Sequence, residues 1–121
     1  VAYATERKQF GQAISNFQLV QGMIADSKTE ALVAKAMTME TARKRDAGQS
    51  VTMEAAAAKY FASEMVGRVA DRAVQIFGGA GSVADHGIER FYRDVRIFRI
   101  YEGTSQIQQV VIARETLKRG G

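Results

Sequence analysis

Residues 15–48 read SNFQLVQGMIADSKTEALVAKAMTMETARKRDAG, and this stretch decides the fold. Val20, Ile24, Ser27, Ala31, Ala34 and Thr38 recur at intervals of 4, 3, 4, 3 and 4. That is the period of one face of an α-helix. The stripe is made largely of small residues, which lets a partner helix approach closely. Ser15 and Gln18 have the spacing of a capping box, so the helix is expected to start near Ser15. It should stop at Asp46-Ala47-Gly48, where glycine suits a left-handed C-terminal cap.

The pattern repeats downstream. A second long helix is expected from Val51-Thr52, with Thr52 as cap and Glu54 complementing the positive helix end. Ala55, Ala58, Ala62, Met65, Val69, Ala73 and Ile76 form its stripe, and Gly78-Gly79 breaks it. Ala80 to Gly87 reads as loop, and Ile88 to Val95 as a short helix anchored by Phe91, Val95 and Phe98. A last helix runs from about Thr104 to Lys118, buries Ile107, Val110, Val111 and Leu117, and frays at Gly120-Gly121. Upstream, Val1 to Lys8 reads as a helix end followed by a turn at Gly11. No stretch alternates long enough to compete as a strand. The expected fold is all-α, an antiparallel up-down bundle resembling a four-helix bundle.

Composition narrows the function. The 121 residues suffice for one domain with a modest core. Proline is absent, which suits long helices, and so is cysteine, which excludes disulfides and thiolate chemistry. His86 is the only histidine, so a structural zinc site is not expected; between Asp85 and Gly87 it reads as a surface residue. The net charge of +4 is scattered among acidic residues, as in Glu6-Arg7-Lys8, which argues against nucleic acid. No apolar run approaches the length of a membrane span, so neither membrane insertion nor a nucleic-acid partner is expected. The five methionines are expected to pack the bundle, and Arg93-Asp94 with Arg96 to form ion pairs. The chain opens without methionine inside an apparent helix, which points to a fragment.

The chemistry is concentrated in Arg99-Ile100-Tyr101-Glu102-Gly103-Thr104-Ser105-Gln106-Ile107-Gln108. A carboxylate sits just before a helix start, between apolar residues and a glycine. One reading is a capping carboxylate favoured by the helix dipole. The other is a base: Ile100 and Tyr101 would desolvate Glu102, which strengthens a carboxylate as proton acceptor, and Gly103 leaves room for close approach. By themselves Arg7 reads as a solvated surface charge, Gln18 as a cap, Gln75 as a polar face residue and Gly78-Gly79 as a helix stop.

Taken together, these segments resemble the C-terminal helical domain of the acyl-CoA dehydrogenases. Tyr101 to Gln108 is similar to the family signature that carries the catalytic glutamate. Glu6-Arg7-Lys8-Gln9-Phe10-Gly11 with Phe17-Gln18 resembles the first flavin-contacting stretch, and Ala73-Val74-Gln75-Ile76-Phe77-Gly78-Gly79 the second. Arg90-Phe91-Tyr92-Arg93-Asp94 resembles the connection to the base, and the likeness covers essentially the whole chain in the family's order. The chain departs from it at Ala80-Gly81-Ser82-Val83, where many relatives have glycine-tyrosine, and at Gln109, where arginine is frequent.

The resemblance implies FAD as cofactor and α,β-dehydrogenation of an acyl-CoA thioester. Glu102 would take the α-proton, and its backbone N–H would help hold the thioester carbonyl while the β-hydrogen leaves as hydride. Tyr101 and Gly103 would touch substrate. Arg7, Gln18, Gln75, Ile76, Phe77, Gly78 and Gly79 would serve the FAD of a neighbouring subunit, and Thr104, Ser105 and Gln106 the FAD of their own. It further implies a homo-oligomer (a dimer of dimers), an electron-transferring flavoprotein as partner, and a short, medium or branched short-chain substrate. The amino-terminal helical and central β-domains would lie outside this chain. The setting would be the cytoplasm of a bacterium or the mitochondrial matrix of a eukaryote. Two rivals are an acyl-CoA oxidase and a non-catalytic helical module that keeps the signature.

Overall fold

The computed structural model describes residues 1–118 and 120. Its first long helix, α2 (Gln18–Asp46), follows a short helix α1 (Ala2–Glu6) and a minimal hairpin, β1 (Lys8–Gln9) and β2 (Gln12–Ala13). α2 ends as a glycine-capped helix should. Gly48 has φ +75°, its N–H donates to the Arg45 carbonyl, and the Gln49 N–H donates to that of Lys44. This pair of bonds satisfies carbonyls that the helix leaves free. The chain then reverses into α3 (Thr52–Phe77).

Ion pairs report the antiparallel register. Lys44 meets Glu54 at 3.5 Å, Glu30 meets Arg68 at 2.8 Å and Arg72 at 2.7 Å, and Asp26 lies 4.0 Å from Arg72. The last helix, α5 (Ser105–Lys118), also runs antiparallel to α3: Ser105 bonds Glu64, Gln109 bonds Tyr60 and Thr116 reaches Met53. Between them lie 3-10 turns at Gly78–Ser82 and Ala84–His86, helix α4 (Ile88–Asp94) and a 3-10 extension over Val95–Arg99. α3 is therefore the shared axis, with α2, α5 and the α4 segment against it. Its buried positions are Ala56, Ala58, Ser63 and Ala70, and α2 contributes Ala34. No large side chain among the described residues is fully buried. Close approach through small residues holds these helices together. No helix is long and apolar enough to cross a membrane, among the described residues.

The all-α bundle and its long-helix boundaries match the sequence reading, with local corrections. α2 starts at Gln18, because residues Ile14–Asn16 form a 3-10 turn and Phe17 is extended. The capping box does not form: the Gln21 side chain donates to the Ser15 carbonyl instead. Neither does Thr52 cap α3, whose N-cap is Val51 without a side-chain bond. Ala31 and Thr38 are exposed, and the covered stripe runs through Glu30, Met37 and Thr41. Val20, Ile24, Ser27 and Ala34 remain covered, and Glu30 meets Arg68 and Arg72 of α3. Met39, Phe91, Ile107, Val110 and Leu117 are exposed rather than packed. Arg93 pairs with Glu89 and Arg90 with Asp94, without Arg96. The hairpin is too short to show alternation; Phe10 and Gly11 both have positive φ, as a tight two-residue turn requires. Gly120 has positive φ, and Gly121 lies outside the described residues.

Glu30 gives the bundle a pH dependence. Its hydrogen bond to Arg72, opposed by partial burial and reinforced by Arg68, holds its carboxyl below the ordinary range. The unfolded chain thus takes up this proton first as pH falls. The stabilisation is complete above the ordinary carboxylate range and is lost as the pH drops through the folded value. Glu30→Gln is expected to lower Tm at neutral pH, with the gap to the parent closing below about pH 4. Thermal unfolding across pH checks this, and an equal gap at pH 7 and pH 3 contradicts it.

Candidate functional site

The signature stretch folds into a left-handed turn. The Ile100 and Tyr101 N–H groups donate to the Ile97 carbonyl, closing the 3-10 segment. The chain then passes through Glu102 (φ +53°) and Gly103 (φ +85°) before α5 begins. Left-handed backbone is unfavourable for a residue with a Cβ, so Glu102 is held there by its surroundings. Thr104 caps α5, its Oγ1 accepting the Ile107 N–H at 3.2 Å.

Side chains from α3 and α5 grip this turn. Lys59 Nζ donates to the carbonyls of Phe98 at 2.8 Å and Gly103 at 2.7 Å. Gln108 Nε2 donates to those of Glu102 at 3.2 Å and Gly103 at 3.3 Å. The Ser105 hydroxyl donates to Glu64 at 2.6 Å, and the other Glu64 oxygen lies 3.3 Å from Arg99 Nε. The Arg99 guanidinium lies across Gly67, where a Cβ would collide with it.

Glu102 itself is exposed, at the edge of a groove of about 420 Å³ lined by Lys59, Ala62, Met65, Val66, Phe98 and Tyr101. No acceptor among the described residues takes its backbone N–H. The expected desolvation by Ile100 and Tyr101 does not occur within this domain. Both are about half exposed (51% and 46%), because the turn projects them away from the bundle. Phe98 packs on Tyr101 with ring centroids 5.6 Å apart.

A second groove, about 580 Å³, opens at the far end of α3. Arg7, Ile76, Phe77, Gly78 and Gly79 line it together. Gly78 has φ +59° and ψ −139°, which only glycine adopts comfortably, and both glycines face open space where a Cβ would stand. Among the described residues no carboxylate pairs with Arg7. Gln18 and Gln75 are exposed and outside the lining. Thr104, Ser105 and Gln106 lie beside Glu102 instead; Ser105 is 4% exposed with its hydroxyl committed to Glu64, while Gln106 is exposed.

Sequence reasoning missed four contributors. Tyr3 stacks on Phe77 at 4.0 Å, and His86 meets both rings edge-on at 5.5 and 5.4 Å, so the histidine lines the groove. Lys59 and Glu64 hold the Glu102 turn. The only signal for these two was that they are the two charges inside the mostly apolar run Ala55 to Val66. Gln109, where the family often has arginine, donates to the Tyr60 hydroxyl at 3.0 Å.

Gly78→Ala is expected to destabilise the fold by about 1–3 kcal/mol through backbone strain alone. Gly79→Ala, with equal space and no positive φ, should change stability by less than about 0.5 kcal/mol. Urea unfolding of the pair checks this, and equal effects contradict it.

Residues 1–117 match the model of the acyl-CoA dehydrogenase C-terminal domain. The chain is 49% identical over 118 residues to the probable acyl-CoA dehydrogenase YngJ of Bacillus subtilis (strain 168), covering 98% of this chain and 31% of that protein. It is 46% identical over 119 residues to CarC, a subunit of the caffeyl-CoA reductase-Etf complex of Acetobacterium woodii, with the same coverage of 98% and 31%. Among solved structures, the FAD complex of PigA superposes with a TM-score of 0.93 at 35% identity, over 98% of this chain and 31% of that one. The chain thus spans about a third of the length of the curated relatives it matches.

Proposed function

The chain belongs to the acyl-CoA dehydrogenase family, as its C-terminal domain, and from that premise we propose that it supplies half of a flavin-dependent site for α,β-dehydrogenation of acyl-CoA thioesters. The observation that carries this reading is Glu102: an exposed carboxylate on a left-handed turn, at the edge of an apolar groove, with an N–H that no acceptor among the described residues takes.

Each group has a task in that reaction. The Glu102 carboxylate accepts the α-proton. An α-C–H is too weak an acid unless the thioester oxygen is stabilised as charge develops, and the free Glu102 N–H is a donor for it. Ala62, Met65, Val66 and Phe98 suit an acyl chain of short, medium or branched short form. The rest of the full-length protein and the bound substrate would exclude water from Glu102, which this domain alone leaves exposed.

The residues fit FAD. Gly78 and Gly79 give the backbone access that a Cβ would deny, and Arg7, which no carboxylate among the described residues pairs, offers a planar cation for a diphosphate in the same groove. In this reading Arg7, Gln18 and Gln75 to Gly79 hold the cofactor of a neighbouring copy, and Thr104, Ser105 (through its backbone) and Gln106 approach that of their own. When bound, FAD supplies the hydride acceptor. The likeness to a structure titled as an FAD complex supports the assignment. Exposed apolar residues on α2 (Leu19, Leu32, Val33) and α5 (Ile107, Val110, Leu117) support assembly of copies, as a dimer of dimers. An electron-transferring flavoprotein is the proposed electron partner, supported by the likeness to a subunit of an Etf complex.

In the full-length protein, Glu102→Gln is expected to retain FAD and to lose its reduction by acyl-CoA by more than about a thousandfold, read as flavin bleaching without oxygen. Near-parental bleaching across a panel of chain lengths would remove the assignment. Arg7→Ala is expected to weaken FAD retention about tenfold with helicity unchanged, since it removes a charge-assisted contact. Equal flavin content after dialysis counts against that role.

A further inference from the structure

The Lys59 ammonium group ties the backbone of the turn that carries Glu102 to α3. The Phe98 carbonyl lies in the 3-10 segment before the turn and the Gly103 carbonyl follows Glu102, ahead of α5, and Lys59 Nζ donates to both. These bonds fix the separation of the two carbonyls and anchor them to a rigid helix. We propose that Lys59 is a positioning residue for Glu102, an inference that rests on the reading of Glu102 as the base.

Gly103 is the residue after Glu102, and a shift of its carbonyl carries the neighbouring peptide with it. Two functional groups belong to Glu102: the carboxylate that takes the proton and the N–H available to the thioester oxygen. Their relative geometry depends on successive left-handed residues at φ +53° and +85°, which the backbone does not favour at a glutamate. A tether is therefore needed, and a protonated lysine suits it: three donors on one atom and no acceptor. Its stem lies along the groove wall beside Ala62, so the charged head reaches the turn across apolar surface. Gln108 is a weaker second tether, donating at 3.2 Å to the Glu102 carbonyl itself. Glu64, through Ser105 and Arg99, holds the flanks of the turn rather than the base.

The test uses the full-length, FAD-loaded protein and flavin reduction by butyryl-CoA and octanoyl-CoA without oxygen. In Lys59→Met the limiting rate of reduction is expected to fall about tenfold to a hundredfold, as small misplacements of a reacting group do. Flavin content and the acyl-CoA concentration for half-saturation should stay within about twofold, the split expected when ground-state binding is intact. Lys59→Arg, which keeps the charge and donors, should recover part of the rate. A Lys59→Met rate within about twofold of the parent overturns the proposal, whatever the change in Tm. Should Lys59→Met fail to hold flavin, Gln108→Leu and Lys59→Arg decide: lowered rates support the tether, and parental rates in both overturn it. Glu102→Gln run alongside separates the two levels. A Glu102→Gln protein that still reduces flavin removes the base and the positioning role with it. A dead Glu102→Gln with a fully active Lys59→Met removes the positioning role alone.

Discussion

Everything in this domain depends on how closely other segments can approach α3. Ala56, Ala58, Ser63 and Ala70 of α3 are buried, Ala34 is buried on α2, and no large side chain among the described residues is fully enclosed. Small residues bring helix backbones together, and dispersion across the short gap replaces the bulky core of a larger protein. A closely approached helix can also act as a ruler. Lys59 and Glu64, five residues apart on α3, reach the backbone and side chains of the 98–105 segment directly.

The two ends of α3 then serve different purposes. Its amino-terminal half grips the turn that exposes Glu102; its carboxyl end stops at Gly78, whose backbone shape opens a groove roofed by Tyr3, Phe77 and His86. From Val66 to Ile76 the helix rises about 15 Å, so the two sites are set apart by a rigid spacer. That separation fits the proposed division between a cofactor held for a neighbouring copy and a base serving its own.

The outward faces are as informative as the core. Leu32, Val33 and Met39 on α2, and Ile107, Val110 and Leu117 on α5, lie at helical spacing yet face solvent here. Periodicity reports that a face is apolar; it does not report what covers it. This is why Ile107, Val110 and Leu117 read as core in the sequence and stand exposed in the domain. The same holds for Glu102, which stays exposed although its apolar neighbours are Ile100 and Tyr101.

By itself the sequence determined the helices, their breaks and the family. These depend on local chemistry: the 3.6-residue period, the absence of proline, glycine at positions 48 and 78, and a run of residues around Glu102 dense enough to identify. Tertiary structure alone decided the rest. It covered Glu30, Met37 and Thr41 of α2 where the sequence stripe had Ala31 and Thr38, and it set Arg68 and Arg72 of α3 against Glu30. It drew His86 into an aromatic cluster with residues 83 and 9 positions away, and it gave Lys59 two carbonyls 39 and 44 residues downstream. Such contacts join residues through space, and no local pattern encodes which carbonyl a lysine will meet.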